Sequence, residues 1–555
     1  MNSCRRQAAA LTWLLLAAAP AVAADSTGLV PLTELGTGTY QGFEGGLYPG
    51  GANTPPPAHR ALALSAAASV VPRDASGLPD PGGLIGLLGV GMSNSAQEFK
   101  VFERDADTNV RRNAQLVLIN GAQGGVGAER MADPADPYWS VLDARIAASE
   151  LSPAQVQVCW IKQAFGTIPT AAFPDHALAL RDDVAEIVRQ LKARFPNLAL
   201  CYLSTRIYGG YSDRVDRGEP LSYETGFAVR WLIEQQIAGD PDLNADPAQG
   251  PVVAPVLLWG PYLWADGVVP RADGLTYLRD DLETDAVHPA PGAERKVGDL
   301  LLRFFGADET TRDWWAKTVA WDLAATSAVA DATLNEAVPG SNFGRQPTLR
   351  LRAGAGQELR VLLRFDLSAQ SGPPLHAKLS LRNAVDTGTG PRAHHVADDG
   401  WDEATVTWDI APAIDPQPIA PETSWSRDSS PSIGVTATLG ADTDGLLSLA
   451  LLTSGGSLQE LISREGGEAP RLVLAVPTRF ITVFVEADPA NDAVVLTWNP
   501  LGDSGYDVDR ADGPTPTDFA DALRRFAPSE RFDDIGALSD GQSWFYLVTA
   551  SGPPP

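Results

Sequence analysis

A serine, an aspartate and a histidine stand where acyl-transfer chemistry would need them. Ser93 lies in Gly91-Met92-Ser93-Asn94-Ser95, directly after an apolar run over residues 84–90 and ahead of a segment with helical spacing that carries Phe99 and Phe102. This predicts a hydroxyl at the carboxyl end of a strand and at a helix N-terminus, where free backbone N–H groups and the helix dipole favour developing negative charge. The same place also suits a plain N-capping serine. Asp285-Ala286-Val287-His288-Pro289 precedes an amphipathic stretch with Val297, Leu300, Leu301, Phe304 and Phe305 on one face. Spacing of this kind lets both side chains leave one short loop toward a shared site, with the carboxylate on one ring nitrogen and the other nitrogen free to face a hydroxyl. An isolated Asp-His match is usually a surface pair; this one follows the last predicted strand, at the same sheet edge as Ser93. Of the six histidines, His59 lies in a proline-rich stretch read as surface, His176 at a helix cap, and His376, His394 and His395 in a later β domain, which leaves His288 as the best base.

Three further groups could complete or surround such a site. Asn120-Gly121-Ala122-Gln123-Gly124-Gly125-Val126-Gly127 follows the second apolar run and exposes backbone N–H groups able to stabilise a tetrahedral oxyanion. It lacks the Lys-Ser/Thr ending of a phosphate loop. Lys162 and Gln163 follow the third run at the same edge and offer another donor. Aromatic residues crowd the loops after the fourth and fifth runs: Tyr208 and Tyr211, then Trp259, Tyr262 and Trp264. Their faces could stack on sugar rings, or simply pack their own loops. Asp240, Asp242, Asn244 and Asp246 alternate as calcium ligands do, without the turn glycine or closing glutamate of a calcium loop. No metal and no cofactor is therefore expected.

The elements that must position these groups are short apolar runs at 84–90, 116–119, 156–160, 198–203 and 256–259, alternating with helical stretches clearest at 177–195 and 224–237. That alternation predicts an α/β domain: a parallel sheet with helices on both faces, whose ligands gather at the carboxyl ends of the strands. Past about residue 316 the texture turns to short alternating strands such as 349–352, 360–365 and 378–382, divided by Gly, Pro, Asn and Asp, which predicts an antiparallel β-sandwich. From about 478, runs such as Val494-Val495-Leu496-Thr497-Trp498 and Tyr506-Asp507-Val508 predict a second, smaller β domain.

These elements in this order resemble the sequence blocks of the SGNH/GDSL hydrolases, over roughly residues 80–310. Gly91-Met92-Ser93-Asn94 stands at the nucleophile block; it departs from Gly-Asp-Ser and is nearer the Gly-Gln-Ser-Asn of the carbohydrate acetylesterase branch. Asn120 to Gly125 stands at the glycine block and Asp285 to His288 at the Asp-x-x-His block. The block supplying an oxyanion amide departs most, reading Trp160-Ile161-Lys162-Gln163-Ala164, so that either Lys162 or Gln163 takes the place. The resemblance implies a flavodoxin-like SGNH fold and a serine esterase acting on carboxylic esters, O-acetyl groups on carbohydrate above all. Ser93 is then the nucleophile, His288 the base, Asp285 its orienter, Gly125 an oxyanion donor, and Asn94 a residue beside the substrate. The departure at Lys162 leaves open a non-catalytic carbohydrate-binding protein on the same scaffold. The second domain resembles DNRLRE-type sandwich modules, through Asp331-Ala332-Thr333-Leu334, Leu362-Leu363-Arg364-Phe365-Asp366 and Trp401-Asp402-Glu403-Ala404-Thr405-Val406-Thr407-Trp408 among others, and this implies polysaccharide or cell-surface attachment. The third resembles a fibronectin type III module.

Bulk properties bound the partners. Arg5 and Arg6, an apolar stretch over residues 8–19 and Ala21-Val22-Ala23-Ala24 have the layout of an export signal, with an apolar run shorter than the ~20 residues of a spanning helix. The expected division is 1–24 signal, 25–317 hydrolase-like domain, 318–477 sandwich and 478–555 final β domain, with a secreted, periplasmic or cell-surface product and no membrane span after cleavage. A net charge of −27 disfavours nucleic acid and anionic membranes. Cys159 and Cys201 sit in apolar runs and are expected reduced in the core.

Overall fold

The computed structural model describes residues 23–109, 111–167, 171–214, 217–316, 321–368, 370, 374–385, 388–426, 429–439, 444–477, 483–498, 506–511, 523–527, 531–535, 537–539 and 545–550. The stretch read as an export signal lies, up to residue 22, outside the described residues, as does the terminal Pro553-Pro554-Pro555. No helix of the described residues is long and apolar enough to cross a membrane.

Five parallel strands form the first sheet: β1 (Ile85–Gly91), β2 (Leu116–Asn120), β3 (Val156–Lys162), β4 (Leu200–Leu203) and β5 (Val256–Trp259), in the spatial order β2-β1-β3-β4-β5. All five are buried along their length, as a sheet covered on both faces requires. Six helices matter to the layering: α1 (Pro57–Ala68), α2 (Ser93–Ala106), α3 (Tyr138–Ala148), α4 (Asp175–Arg194), α5 (Leu221–Ile237) and α6 (Pro291–Ala307). Successive strand residues point to opposite faces. Trp160 accordingly stacks on Phe99 of α2 and Tyr202 meets Phe304 and Phe305 of α6, whereas the next residues, Ile161 and Leu203, line a small cavity together with Leu180 and Val184 of α4 and Ala228 and Val229 of α5. Helices α2 and α6 lie unusually close: a Cβ on Gly298 would come within 2.9 Å of Val101. Cys159 and Cys201 are register partners in β3 and β4, both buried and both unbridged.

The following strands are antiparallel: β6 (Trp321–Ser327), β7 (Ala330–Asn335), β8 (Thr348–Leu351), β9 (Leu359–Asp366), β10 (His376–Ser380), β11 (Arg392–Val396), β12 (Ser432–Gly434), β13 (Leu446–Leu452), β14 (Gln459–Ile462) and β15 (Arg471–Pro477). They make two four-stranded sheets, β11-β13-β9-β7 and β12-β10-β15-β6, and a β8-β14 pair, around a core that includes Val361, Leu363, Leu379, Leu449 and Leu474.

This sandwich and the α/β region form one compact unit through residue 476. The alternation of β10 explains how. Ala377 and Leu379 enter the sandwich core, while His376 and Lys378 face the α/β region. Lys378 Nζ lies 2.9 Å from Glu103 and 2.7 Å from Asp107 at the end of α2, all but buried, and His376 Nε2 lies 3.1 Å from the Ser149 carbonyl. Burial pushes the Lys378 ammonium down and the two carboxylates outweigh it, so the group is held above its ordinary pKa.

The second unit carries two three-stranded antiparallel sheets. One joins Val483–Asp488, Ala493–Trp498 and Arg531–Ile535; the other joins Leu523–Ala527, Tyr506–Ala511 and Phe545–Ala550.

Candidate functional site

The strand-to-helix turn at Gly91 is the base on which the site is built. A Cβ on Gly91 would fall 2.2 Å from the Lys162 carbonyl and 2.3 Å from Ser95 Oγ, so only glycine lets β1 leave the sheet this close to β3. Ser95 Oγ donates to that same carbonyl at 2.6 Å and pins the start of α2. Ser93 is the first residue of the helix, and its N–H is among those the helix itself cannot satisfy.

The Asp285 loop arrives from the other end of the domain. Ala286 adopts a left-handed φ of 56°, costly for a non-glycine residue, and the turn so formed lets Asp285 Oδ1 accept from the N–H groups of Val287 at 2.9 Å and His288 at 3.0 Å. Asp285 Oδ2 lies 2.6 Å from His288 Nδ1, and His288 Nε2 lies 2.9 Å from Ser93 Oγ. With its proton on Nδ1, where the carboxylate needs a donor, the ring leaves Nε2 to accept from the serine hydroxyl. Partial burial works to raise the Asp285 pKa. The His288 and Val287 N–H groups, together with the imidazole, outweigh it and hold the carboxyl at about 2. Asn94 spans the two loops by donating Nδ2 to the Val287 carbonyl at 2.8 Å.

A cavity of about 230 Å³ opens over these groups, lined by Met92, Ser93, Asn94, Gly125, Gly166, Asp285, Val287 and His288, and by three arginines, Arg206, Arg214 and Arg217. The glycine-rich loop is tied to the nucleophile turn by the Gln123 N–H, which donates to the Gly91 carbonyl at 2.9 Å. Gly125, at φ 74°, has open space where a side chain would stand.

Two expectations about the oxyanion donors are corrected. Lys162 ends β3 fully buried, and its ammonium bonds both carboxylate oxygens of Glu98 on α2 instead of entering the cavity. Burial pushes the Glu98 carboxyl up and the Lys162 ammonium down, each opposed by its partner's charge. Gln163 points to the other side, donating to the Val126 carbonyl at 3.2 Å and accepting from the Ala164 N–H at 3.0 Å.

The aromatic residues are corrected as well. Tyr208, Tyr211, Trp259, Tyr262 and Trp264 are buried, and none is among the residues lining the cavity. Their polar ends meet protein partners: Tyr208 donates to the Ala24 carbonyl, Tyr211 to that of Tyr277, Trp259 to that of Leu47 and Trp264 to Glu219, while Tyr262 accepts from the Leu32 N–H. They pack loops, as buried aromatics with polar handles do. His59, read as surface, is also buried, with Nε2 2.8 Å from the Leu257 carbonyl.

Asp240, Asn244 and Asp246 do not converge on an ion site; each accepts from a backbone N–H two residues on. Asp331, Glu403 and Glu465 bring one carboxylate oxygen each within 4.8 Å of one another, but Glu403 is engaged by Arg464 Nη1 at 2.8 Å and Asp331 by the Arg464 N–H at 2.9 Å.

Residues 323–476, the sandwich, match the model of carbohydrate-binding module family 96. A carbohydrate-binding module is therefore present. Among solved structures, a gut microbial diltiazem-metabolizing enzyme is similar over 51% of this chain, at 11% identity and a TM-score of 0.24. The similarity spans 56% of that chain and carries no argument about function. No curated protein matches the chain.

Proposed function

We propose that this chain is an exported serine esterase of the SGNH type, hydrolysing carboxylic esters on carbohydrate, acetyl groups foremost. The reading rests on one observation: a serine hydroxyl 2.9 Å from an imidazole whose other nitrogen lies 2.6 Å from a carboxylate. Ser93 Oγ attacks the acyl carbonyl while His288 Nε2 takes its proton; Asp285 fixes the ring and offsets the imidazolium charge. The N–H groups of Ser93 and Gly125 stabilise the oxyanion. His288 returns the proton to the departing alcohol, then activates the water that releases the acid and frees Ser93. The cavity is smaller than the ~300–1,000 Å³ typical of drug-sized ligands, which suits a short acyl group. The carbohydrate-binding module supports a polysaccharide as the carrier of the ester.

The test is hydrolysis of aryl acetates and acetylated oligosaccharides by purified protein and by Ser93→Ala. Loss of turnover to background, with unchanged melting and circular dichroism, is the expected result; equal rates would remove Ser93 from the chemistry. A second reading, carbohydrate binding without catalysis, draws on the module and on the capture of Lys162 by Glu98. It gains if neither protein turns over any ester while both bind glycan.

A further inference from the structure

Between Asp285 and His288 the chain turns through Ala286 at φ 56°, where a Cβ crowds the backbone, and such a conformation persists only where its surroundings over-determine it. Several bonds share that task. Within the loop the Ala286 N–H donates to the Glu283 carbonyl at 2.9 Å and the Glu283 N–H to the His288 carbonyl at 2.8 Å. From the nucleophile side Asn94 holds the Val287 carbonyl. The outer side belongs to Arg279. Its Nη1 donates to the carbonyls of Leu282 at 3.2 Å and Glu283 at 2.9 Å, and its Nη2 to that of Thr284 at 3.2 Å. Three successive carbonyls, ending at the residue before Asp285, thus converge on one guanidinium. A planar fork reaches such a set in one fixed geometry, whereas an ammonium offers its donors from a single atom.

Arg279 is itself well placed to hold something still. It opens a short turn, Arg279–Asp281, in which the Asp281 carboxylate accepts from the Leu278 N–H at 2.7 Å and from Lys296 Nζ of α6. Lys296 also donates to the Thr276 carbonyl at 2.8 Å, and the Asp281 carbonyl accepts from the Ala290 N–H at 2.8 Å, beyond the far end of the loop. A continuous set of bonds therefore runs from α6 through Asp281 to Arg279 and on to the residues before Asp285. Arg279 is exposed and is not among the residues lining the cavity over Ser93.

We infer that Arg279 is a positioning residue for the Asp285–His288 pair: its guanidinium offsets the strain at Ala286 and so keeps carboxylate and imidazole in line with Ser93. The inference rests on the esterase reading for its effect on rate, and on the hydrogen bonds alone for its effect on the loop. Alignment matters here because His288 Nε2 has to receive the Ser93 proton across 2.9 Å.

The experiment measures kcat and KM on an aryl acetate for wild type, Arg279→Ala, Arg279→Lys, Ala286→Gly and Arg279→Ala/Ala286→Gly, with melting curves to verify that each is folded. A catalytic group misplaced by about 1 Å costs about a hundredfold in rate, and a loop aligned for part of the time should lose less. In Arg279→Ala kcat should therefore fall about tenfold while KM stays within about twofold. Lysine supplies the charge without the fork and should recover only a small part of the loss. Glycine takes φ 56° without a steric cost, so Ala286→Gly should raise kcat by a larger factor in the Arg279→Ala background than in the wild-type one. Unchanged kcat in Arg279→Ala, full recovery in Arg279→Lys, or the same effect of Ala286→Gly in both backgrounds overturns the inference.

A second readout needs no turnover. The proton between His288 Nδ1 and Asp285 Oδ2, 2.6 Å apart, should give a far-downfield proton resonance that is lost in Asp285→Asn. In Arg279→Ala it should exchange with water faster, and broaden at a temperature where the wild-type signal is sharp. If no ester is turned over in a Ser93-dependent way, the esterase reading fails separately, and this resonance decides. Broadening sustains the hold of Arg279 on the loop, and an unaltered signal overturns it.

Discussion

The guanidinium of Arg145, on α3, lies 4.7 Å over the indole of Trp425 in the carbohydrate-binding module. The same group donates from Nη1 to the carbonyls of Asn120 at 3.0 Å and Ala122 at 2.8 Å, where the glycine-rich loop begins, and from Nη2 to the Ser424 carbonyl at 3.0 Å. Burial lowers its pKa to about 10, which still leaves it charged at neutral pH. One buried cation therefore fastens a module loop and the loop carrying Gly125.

Arg145→Leu should unfasten both. Hydrogen bonds from charged groups contribute about 1.5–3 kcal/mol each, so the expected loss of stability is about 2 kcal/mol or more. Thermal melts of the full chain check that figure. On aryl acetates the variant should also lose kcat, because the released loop carries Gly125.

Lys378 stands between Glu103 and Asp107 with almost no exposure. Replacement by Met leaves Glu103 buried without its cation and Asp107 with Arg112 alone, and breaking such a buried pair from one side costs about 3–5 kcal/mol. Lys378→Met should unfold at a distinctly lower urea concentration than wild type, and adding Glu103→Gln should recover part of the difference. No recovery would show that the charges across the seam do not interact.

Asp285→Asn keeps the shape of the loop but replaces the carboxylate that accepts from the His288 ring at 2.6 Å. A drop in kcat of roughly 10²–10⁴ is expected, the size of a general acid–base contribution. Because the carboxyl is held at about 2, it contributes stability above its unfolded value of ~3.9 that fades as pH falls through about 2. The melting difference between wild type and Asp285→Asn should therefore be present at pH 6 and vanish toward pH 2.

Asp331 behaves in the opposite sense. Burial first, then the charges of Glu465 and Glu403, raise its pKa to about 7 against the Arg464 N–H and the Arg464 charge. Its contribution to stability is whole below about pH 4 and is lost as pH rises through about 7. Asp331→Asn keeps an acceptor for the Arg464 N–H and removes the charge. It should melt a few degrees above wild type at pH 8 and level with it at pH 4.

What the sequence disclosed, and what it hid, follows from the range of the interactions. The parallel sheet was legible because buried strands and amphipathic helices are local patterns. The meeting of Ser93, Asp285 and His288 followed from placing each motif at the carboxyl end of a strand. The place of Lys162 is not legible in sequence, because nothing local announces that Glu98, on the helix after β1, claims its ammonium. Tyr208, Tyr211, Trp259, Tyr262 and Trp264 leave both readings open in sequence, since an aromatic in a loop looks the same whether its polar end meets a sugar or a carbonyl. Arg206, Arg214 and Arg217, which line the cavity, carry a signal that the sequence reading does not use: three arginines in the loop after the fourth strand, at the edge where Ser93 emerges. The seam was illegible altogether, because Lys378 pairs with Glu103 across a separation that no local pattern spans.

The buried contacts at Lys378, His376 and Arg145 join the sandwich to the α/β region with no slack between them. On the proposed esterase reading, a polymer gripped on the sandwich would thus be offered to Ser93 at one spacing and one heading. The pattern of stripped and untouched units along it would then record the protein's own dimensions, as a gauge does, rather than the random sweep of a tether.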